Sequence, residues 1–260
     1  MTNPEYGIIK PAKPEFEPRE LFVVPHNEQP LITSRFGRNT YRANQQEMQK
    51  DFSCLPQHLQ ISFRPATISE SISAAAYDFE NLAKPQILDS AWLQLGYIGR
   101  TPEGVFTNLP KDEQGNLITD EDTLKSLLDH AEKVKVGKAH IYLADNGLAF
   151  AEYDTFETGV QESQVFAEGG LARVLEHTEK PAESLARISN QNLYKLGVNV
   201  WGFDSTEELA VRVAGLDSDW ASDGDRLLVG GNDWDDSNRG CAFGVLNQSA
   251  KGASQKHINI

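Results

Sequence analysis

The stretch Arg226–Ile260, RLLVGGNDWDDSNRGCAFGVLNQSAKGASQKHINI, carries the most information in the chain. A short apolar run, Leu227-Leu228-Val229, stops at Gly230-Gly231. A dense polar loop follows, Asn232-Asp233-Trp234-Asp235-Asp236-Ser237-Asn238-Arg239, and a second apolar run, Ala242-Phe243-Gly244-Val245-Leu246, closes it. Apolar runs of this length flanked by Gly read as strands, with Gly where the backbone turns sharply or approaches a neighbour closely. The local reading is strand, irregular polar loop, strand.

Upstream, Asn192-Leu193-Tyr194-Lys195-Leu196-Gly197-Val198-Asn199-Val200-Trp201-Gly202 supplies a second recognisable piece. Together the two stretches resemble formylglycine-generating-enzyme-like domains. In that family a G-L-Y-D-M-x-G-N-V-W-E-W segment precedes an R-V-L-R-G-G-S-W segment, and His257-Ile258-Asn259-Ile260 is similar to the start of the family's closing N-I-G-F-R strand. The resemblance spans about a quarter of the chain. It implies an α+β fold whose C-terminal region is C-type-lectin-like, a fold shared by variable proteins of diversity-generating retroelements. In those proteins the stretch equivalent to Asn232–Arg239 is the diversified ligand-binding face. The resemblance therefore implies a recognition loop here, with Trp220 on a neighbouring loop. Short polar side chains around an aromatic residue suit such a surface, because they hydrogen-bond adaptably while the ring adds contact area at small entropic cost. The competing reading is that Trp234 belongs to the core and its polar neighbours are merely solvated.

The same resemblance raises the question of an oxidase. The family's enzymes use paired cysteines after the Gly-Gly corner to bind copper, and those places fall on Asp235 and Gly240. Cys241 adjoins the second, but nothing supplies a partner thiolate, and a soft Cu(I) site needs both. A non-catalytic protein is the expectation. The histidines are scattered without metal-ligand spacing, and neither a phosphate-binding loop nor a nucleophile elbow occurs. Asp217-Ser218-Asp219 and Asp223-Gly224-Asp225 offer hard oxygen ligands for Ca²⁺, although their spacing departs from the EF-hand loop.

Charge narrows the partners. The net charge is −14, which disfavours nucleic acid, since phosphate contacts require clustered Lys and Arg. Between Asp204 and Arg239 ten acids face three bases. That excess reads either as a well-solvated face or as a surface attracting basic partners. The expected ligand is a protein or a glycan. No apolar run reaches the roughly 20 residues of a membrane helix, and the N-terminus lacks the pattern of a signal peptide, so a cytoplasmic or particle-assembled protein is expected. Cys54 and Cys241 read as two free thiols.

Three regions follow. Residues 1–60 contain Pro4, Pro11, Pro14, Pro18, Pro25 and Pro30 and read as a proline-rich arm, suited to clasping a neighbouring subunit in a homo-oligomer. A short strand at Leu21–Val24 and a short helix over Thr40–Phe52 interrupt it. Residues 61–189 form an α+β support region. Its expected elements are a strand Ile61–Pro65, a helix opening at Thr67 or Ser69 with Ile68, Ile72, Ala75, Ala76, Phe79 and Leu82 on one face, and strands at Trp92–Ile98 and Gly104–Phe106. A longer helix is expected from Thr119 or Asp120, carrying Leu124, Leu127, Leu128, Ala131 and Val134. Then come a hairpin turning at Asn146-Gly147 and helices over 155–160, 163–177 and 182–188. Residues 190–260 form the lectin-like ligand-display region. Two alternatives to a binding protein remain: a structural subunit of a phage-like or other assembly, and a degenerate oxidase.

Overall fold

The computed structural model describes residues 21–50, 52–54, 59–81, 92–218, 226–232 and 240–247. Strands β1 (Phe22–His26) and β2 (Gln29–Asn39) open it as a hairpin. Its two turn residues, Asn27 and Glu28, both have positive φ, at 45° and 61°, the backbone twist that matches two antiparallel strands. Helix α1 (Tyr41–Met48) starts where the Thr40 hydroxyl accepts the Ala43 N–H at 3.2 Å. Strands β3 (Phe52–Cys54) and β4 (Leu59–Ile61) pair with each other, and β5 (Phe63–Pro65) follows.

Helix α2 (Ile68–Asn81) begins with a reciprocal cap. Thr67 Oγ1 accepts from the Glu70 N–H at 3.2 Å, and Glu70 Oε2 accepts from the Thr67 N–H at 2.8 Å. Thr67, not Ser69, is thus the cap, because only Thr67 stands three residues before a carboxylate. Ile68, Ile72, Ala75 and Ala76 are buried as the helical spacing requires. Leu82 lies outside the described residues.

Ten further strands and four short helices complete the described chain. They are β6 (Leu93–Arg100), β7 (Gly104–Thr107), α3 (Glu121–Ser126), β8 (Glu132–Val136), β9 (Ala139–Leu143), β10 (Ala149–Glu152), β11 (Gly159–Gln161), α4 (Ser163–Glu168), α5 (Gly170–Glu176), α6 (Glu183–Ser189), β12 (Val198–Trp201), β13 (Ala210–Ser218), β14 (Leu227–Gly230) and β15 (Gly240–Leu246).

One mixed sheet gathers most of these strands in the order β11-β12-β14-β13-β6-β7-β10-β9-β8. Strand β15 joins β6 through a parallel bridge, Cys241 to Leu93, and runs antiparallel to β2 and β5. Since β13 pairs with β6 along seven residue positions, the boundary between residues 61–189 and 190–260 runs through the middle of the sheet. Residues 22–48 of the arm also pack within this chain, because β2 pairs with β15 and α1 lies against both. Residues 1–20 lie outside the described residues.

The two faces of the sheet are covered differently. On one, Leu93, Leu95, Ile98, Ala214, Leu216, Val198, Val200, Leu227 and Val229 meet α2, α4, α5 and α6 in one continuous core. On the other are two smaller clusters. Tyr41, Met48, Phe36, Phe63 and Trp92 form one around α1, and Phe106, Phe150, Leu124 and Leu148 form the second around α3.

Three helical expectations need correction. The helix expected to run from Asp120 to Val134 stops at Ser126, although Asp120 does cap it by accepting from the Thr123 N–H at 2.8 Å. Beyond it, Glu132-Lys133-Val134-Lys135-Val136 alternates with period two and pairs with β9 instead, so long-range pairing outweighs local helical spacing. Residues 156–160 are not helical; a single 3-10 turn at Tyr153–Thr155 leads into β11. The helix over 163–177 is split at Gly169, whose ψ of 154° is extended. The hairpin at Asn146-Gly147 is present, with Gly147 at φ 88° and the Asn146 side chain accepting the Leu148 N–H at 3.0 Å.

Candidate ligand-display site

The two stretches that decided the sequence reading become neighbours in space. Strand β12 lies parallel to β14, pairing Val198 with Leu227 and Trp201 with Gly230. Val198 and Val200 point into the core while Trp201 is 46% exposed. The Tyr194 hydroxyl, in the turn before β12, meets Ser218 Oγ at 2.6 Å, which fixes that turn against the end of β13.

The polar loop leaves β14 through Gly231 and Asn232. There the Gly231 N–H donates to the Trp201 carbonyl at 2.9 Å, and the ring of Phe203 lies beneath Gly231. Gly202 adopts φ +75°, and a Cβ on it would run into Asn232, so the close approach of the two segments requires glycine. Arg100, at the end of β6 and 7% exposed, joins the pieces. Its Nη1 donates to the Gly202 carbonyl at 2.9 Å and its Nη2 to Asn232 Oδ1 at 3.4 Å.

The loop re-enters the sheet at Gly240, and again a buried polar group receives it. Asn44 Nδ2 donates to the Gly240 carbonyl at 3.2 Å and to Gln94 Oε1 at 2.8 Å. Gln94 Nε2 in turn donates to the Asn39 carbonyl at 3.1 Å. Asn44 and Gln94 are both fully buried, so these bonds form away from water and leaving any of them unmade is costly. Cys241 N–H donates to the Trp92 carbonyl at 3.0 Å, extending the anchor by one residue. Both stems of the 231–239 loop are therefore held by side chains from remote elements.

Of the residues expected to meet a ligand, Asn232 is half-buried at the first stem, against Arg100. Asp233, Trp234, Asp235, Asp236, Ser237, Asn238, Arg239 and Trp220 lie outside the described residues. Sequence reasoning missed Arg100, Gln94 and Asn44. No local pattern marks them, because each acts on a backbone group far away in the chain. Trp201 was read only as part of a motif, yet strict alternation in Val198-Asn199-Val200-Trp201 already placed it on the face opposite the two valines.

Asp217 Oδ1 accepts the Ser218 N–H at 2.7 Å, and Ser218 Oγ is engaged by Tyr194. Among the described residues no group of three or more His, Cys, Asp or Glu side chains could hold a metal ion. Asp219, Asp223 and Asp225 lie outside them. Cys241 is 1% exposed, its Sγ lies 3.5 Å from the Trp92 carbonyl, and burial pushes the thiol up to about 12. Burial thus favours the protonated thiol, which disfavours it as a free nucleophile. No helix among the described residues is long and apolar enough to cross a membrane.

No protein-family model matches the chain, and no curated protein matches it. A solved structure from Nanoarchaeota does, described as showing how the C-type lectin fold accommodates massive sequence variation. The likeness has a TM-score of 0.54 at 15% identity and covers 82% of this chain and 97% of that one. The fold is therefore the C-type lectin fold, mixed α/β around one large sheet. The likeness reaches well beyond the C-terminal region to which the sequence resemblance was confined.

Proposed function

We propose that this protein is a non-catalytic binding protein that presents residues 232–239, flanked by Trp220, as a recognition face for a protein or glycan ligand. The observation that carries this reading is the pinning of both loop stems by buried polar side chains, Arg100 at one end and Asn44 with Gln94 at the other. A loop anchored at its base by groups outside itself can change composition without loosening the sheet, which is what a displayed binding surface requires. The described neighbour, in which the same fold accommodates extensive variation, supports the reading. The pairing of β12 with β14 supports the finer assignment to the formylglycine-generating-enzyme-like subtype, since the two motif-bearing stretches then form one unit. The buried, protonated Cys241 argues against the oxidase chemistry of that subtype.

The test replaces Asp233, Asp235, Ser237 and Asn238 together by Ala and measures thermal unfolding beside binding in a protein and glycan array. The expected outcome is a melting temperature within a few degrees of the parent, because substitutions on a solvated recognition surface of the kind proposed change stability by about 0.5 kcal/mol or less each. Every array signal of the parent is expected to disappear. Unchanged signals would sink the proposal. A near-copy of the DNA encoding 226–260 beside a reverse-transcriptase gene would add that the face is variable.

A further inference from the structure

A concave site lies on the face of the sheet opposite the continuous core, beside α3. Strand register lines up three aromatic residues there: Phe106 on β7 pairs with Phe150 on β10, and Phe150 pairs with Tyr142 on β9. The Phe106 and Phe150 centroids are 4.5 Å apart, and those of Phe150 and Tyr142 are 6.1 Å apart. Gly104 makes room for this floor, since a Cβ there would meet the Ala151 carbonyl and lie 2.6 Å from the Phe150 ring. One wall is α3, tied to the β6–β7 turn by Lys125, which bridges Glu103 at 3.0 Å and Glu121 at 2.9 Å. The other is the turn after β10, held by the Tyr153 hydroxyl donating to the Thr101 carbonyl at 3.1 Å. The cleft between them has a volume of about 690 Å³, within the usual range for small-ligand sites.

The rim decides what the cleft attracts. Four carboxylates line it, Glu103, Asp129, Glu152 and Asp154, against the single cation Lys125. Glu103 already neutralises that lysine. Glu152 accepts from the Tyr142 hydroxyl at 3.0 Å and from the His140 N–H at 2.9 Å, so it is held in place at the cleft edge. Asp129 and Asp154 are exposed and make no ion pair among the described residues. The Tyr142 ring already carries a cation, Lys133 Nζ, at 5.3 Å from its centroid, so its face is electrostatically suited to one.

We propose that this cleft is a docking site for cationic side chains of a basic polypeptide, above all Arg. Its planar guanidinium packs on the half-exposed Tyr142 ring, behind which Phe150 and Phe106 are buried, while its N–H groups reach Asp129, Asp154 and Glu152. The site is independent of the 232–239 loop and survives if that reading fails.

The test titrates the full-length protein with an alternating Gly-Arg pentapeptide in 0.15 M salt, following the aromatic NMR resonances. The expected result is a saturable shift of the Tyr142 and Phe150 rings. The double variant Asp129→Asn/Asp154→Asn should weaken binding about tenfold. A charge-matched control at exposed acids outside the lining, Asp145→Asn/Glu157→Gln, should change it less than about twofold. Lys133→Ala should tighten binding by removing the resident competitor. An equal loss in both double variants would overturn the proposal, leaving only the general attraction of an acidic protein. So would ring shifts produced by a neutral oligosaccharide but not by the peptide, or shifts that track protein concentration alone and so report a second copy of the chain.

Discussion

The two faces of the sheet solve different problems. The face under α2, α4, α5 and α6 is closed, with a continuous apolar core from Val105 and Ile141 at one end to Val198 and Val229 at the other. The opposite face is divided between the α1 cluster and the aromatic cluster, with the cleft beside α3. Burial of apolar area is non-directional and accumulates where helices cover a sheet. Recognition needs polar groups held at fixed positions yet still open to solvent. Apolar burial is thus continuous on one face and interrupted on the other, where the cleft opens.

The strongest way to break this division is to remove a side chain from the closed face. Leu175 on α5 is fully buried, so Leu175→Ala leaves a cavity and should cost about 2–5 kcal/mol. Leu128, half-buried at the lip of the cleft, should cost less than about 1 kcal/mol when changed to Ala, because solvent reaches the vacated space. Urea unfolding midpoints of the two variants compare the faces directly, and equal losses would abolish the distinction.

A smaller effect concerns a carboxylate at the end of α5. Glu176 ends α5 and accepts the Leu185 N–H at 2.5 Å, and burial pushes its carboxyl up to about 7. The folded chain therefore keeps a proton that the unfolded chain releases near the ordinary carboxylate value of 4.5. Since the folded state binds more protons across that window, stability falls as pH rises from about 4.5 to about 7. Glu176→Gln keeps the acceptor oxygen and removes the charge. It should flatten this slope and stabilise the protein above pH 7 by an amount on the order of 2 kcal/mol. Denaturant midpoints from pH 4 to 8 would show it. A slope unchanged in the variant would move the pH dependence elsewhere in the chain.

What could be read from the sequence follows the range of the forces involved. Elements set by neighbours in the chain were legible: the helix opening at Thr67 or Ser69, the Gly147 turn, and the strands around Gly230-Gly231 and Val198–Trp201. Residues 127–136 were not. Their apolar positions satisfy helical spacing as far as Val134, while Glu132–Val136 alternates as well, and the partner strand β9 decides between the two. The site divides in the same way. Asn232 belongs to a visible polar loop, whereas its anchor Arg100 lies 132 residues earlier. The aromatic floor was illegible for a related reason. Phe106, Phe150 and Tyr142 come from three strands, and only the register of two pairings puts them in one row.

Arg100 also stands between the stem of the polar loop and the wall of the cleft. Its guanidinium serves the stem of the polar loop, while its backbone lies next to Thr101, whose carbonyl receives the Tyr153 hydroxyl at the wall of the cleft. Arg100→Met keeps the length and apolar stem of the side chain but leaves the Gly202 carbonyl without its donor, a loss of about 1–3 kcal/mol. If the loop stem and the cleft are separate sites on one scaffold, the damage should stay local. Hydrogen exchange should accelerate at the Gly231 amide, which is bonded to Trp201, and remain slow at the β7, β9 and β10 amides. Binding of the arginine peptide in the cleft should change less than about twofold. Exchange that accelerates across both regions at once would instead make Arg100 the joint of a single cooperative unit, in which a ligand in either site biases the other.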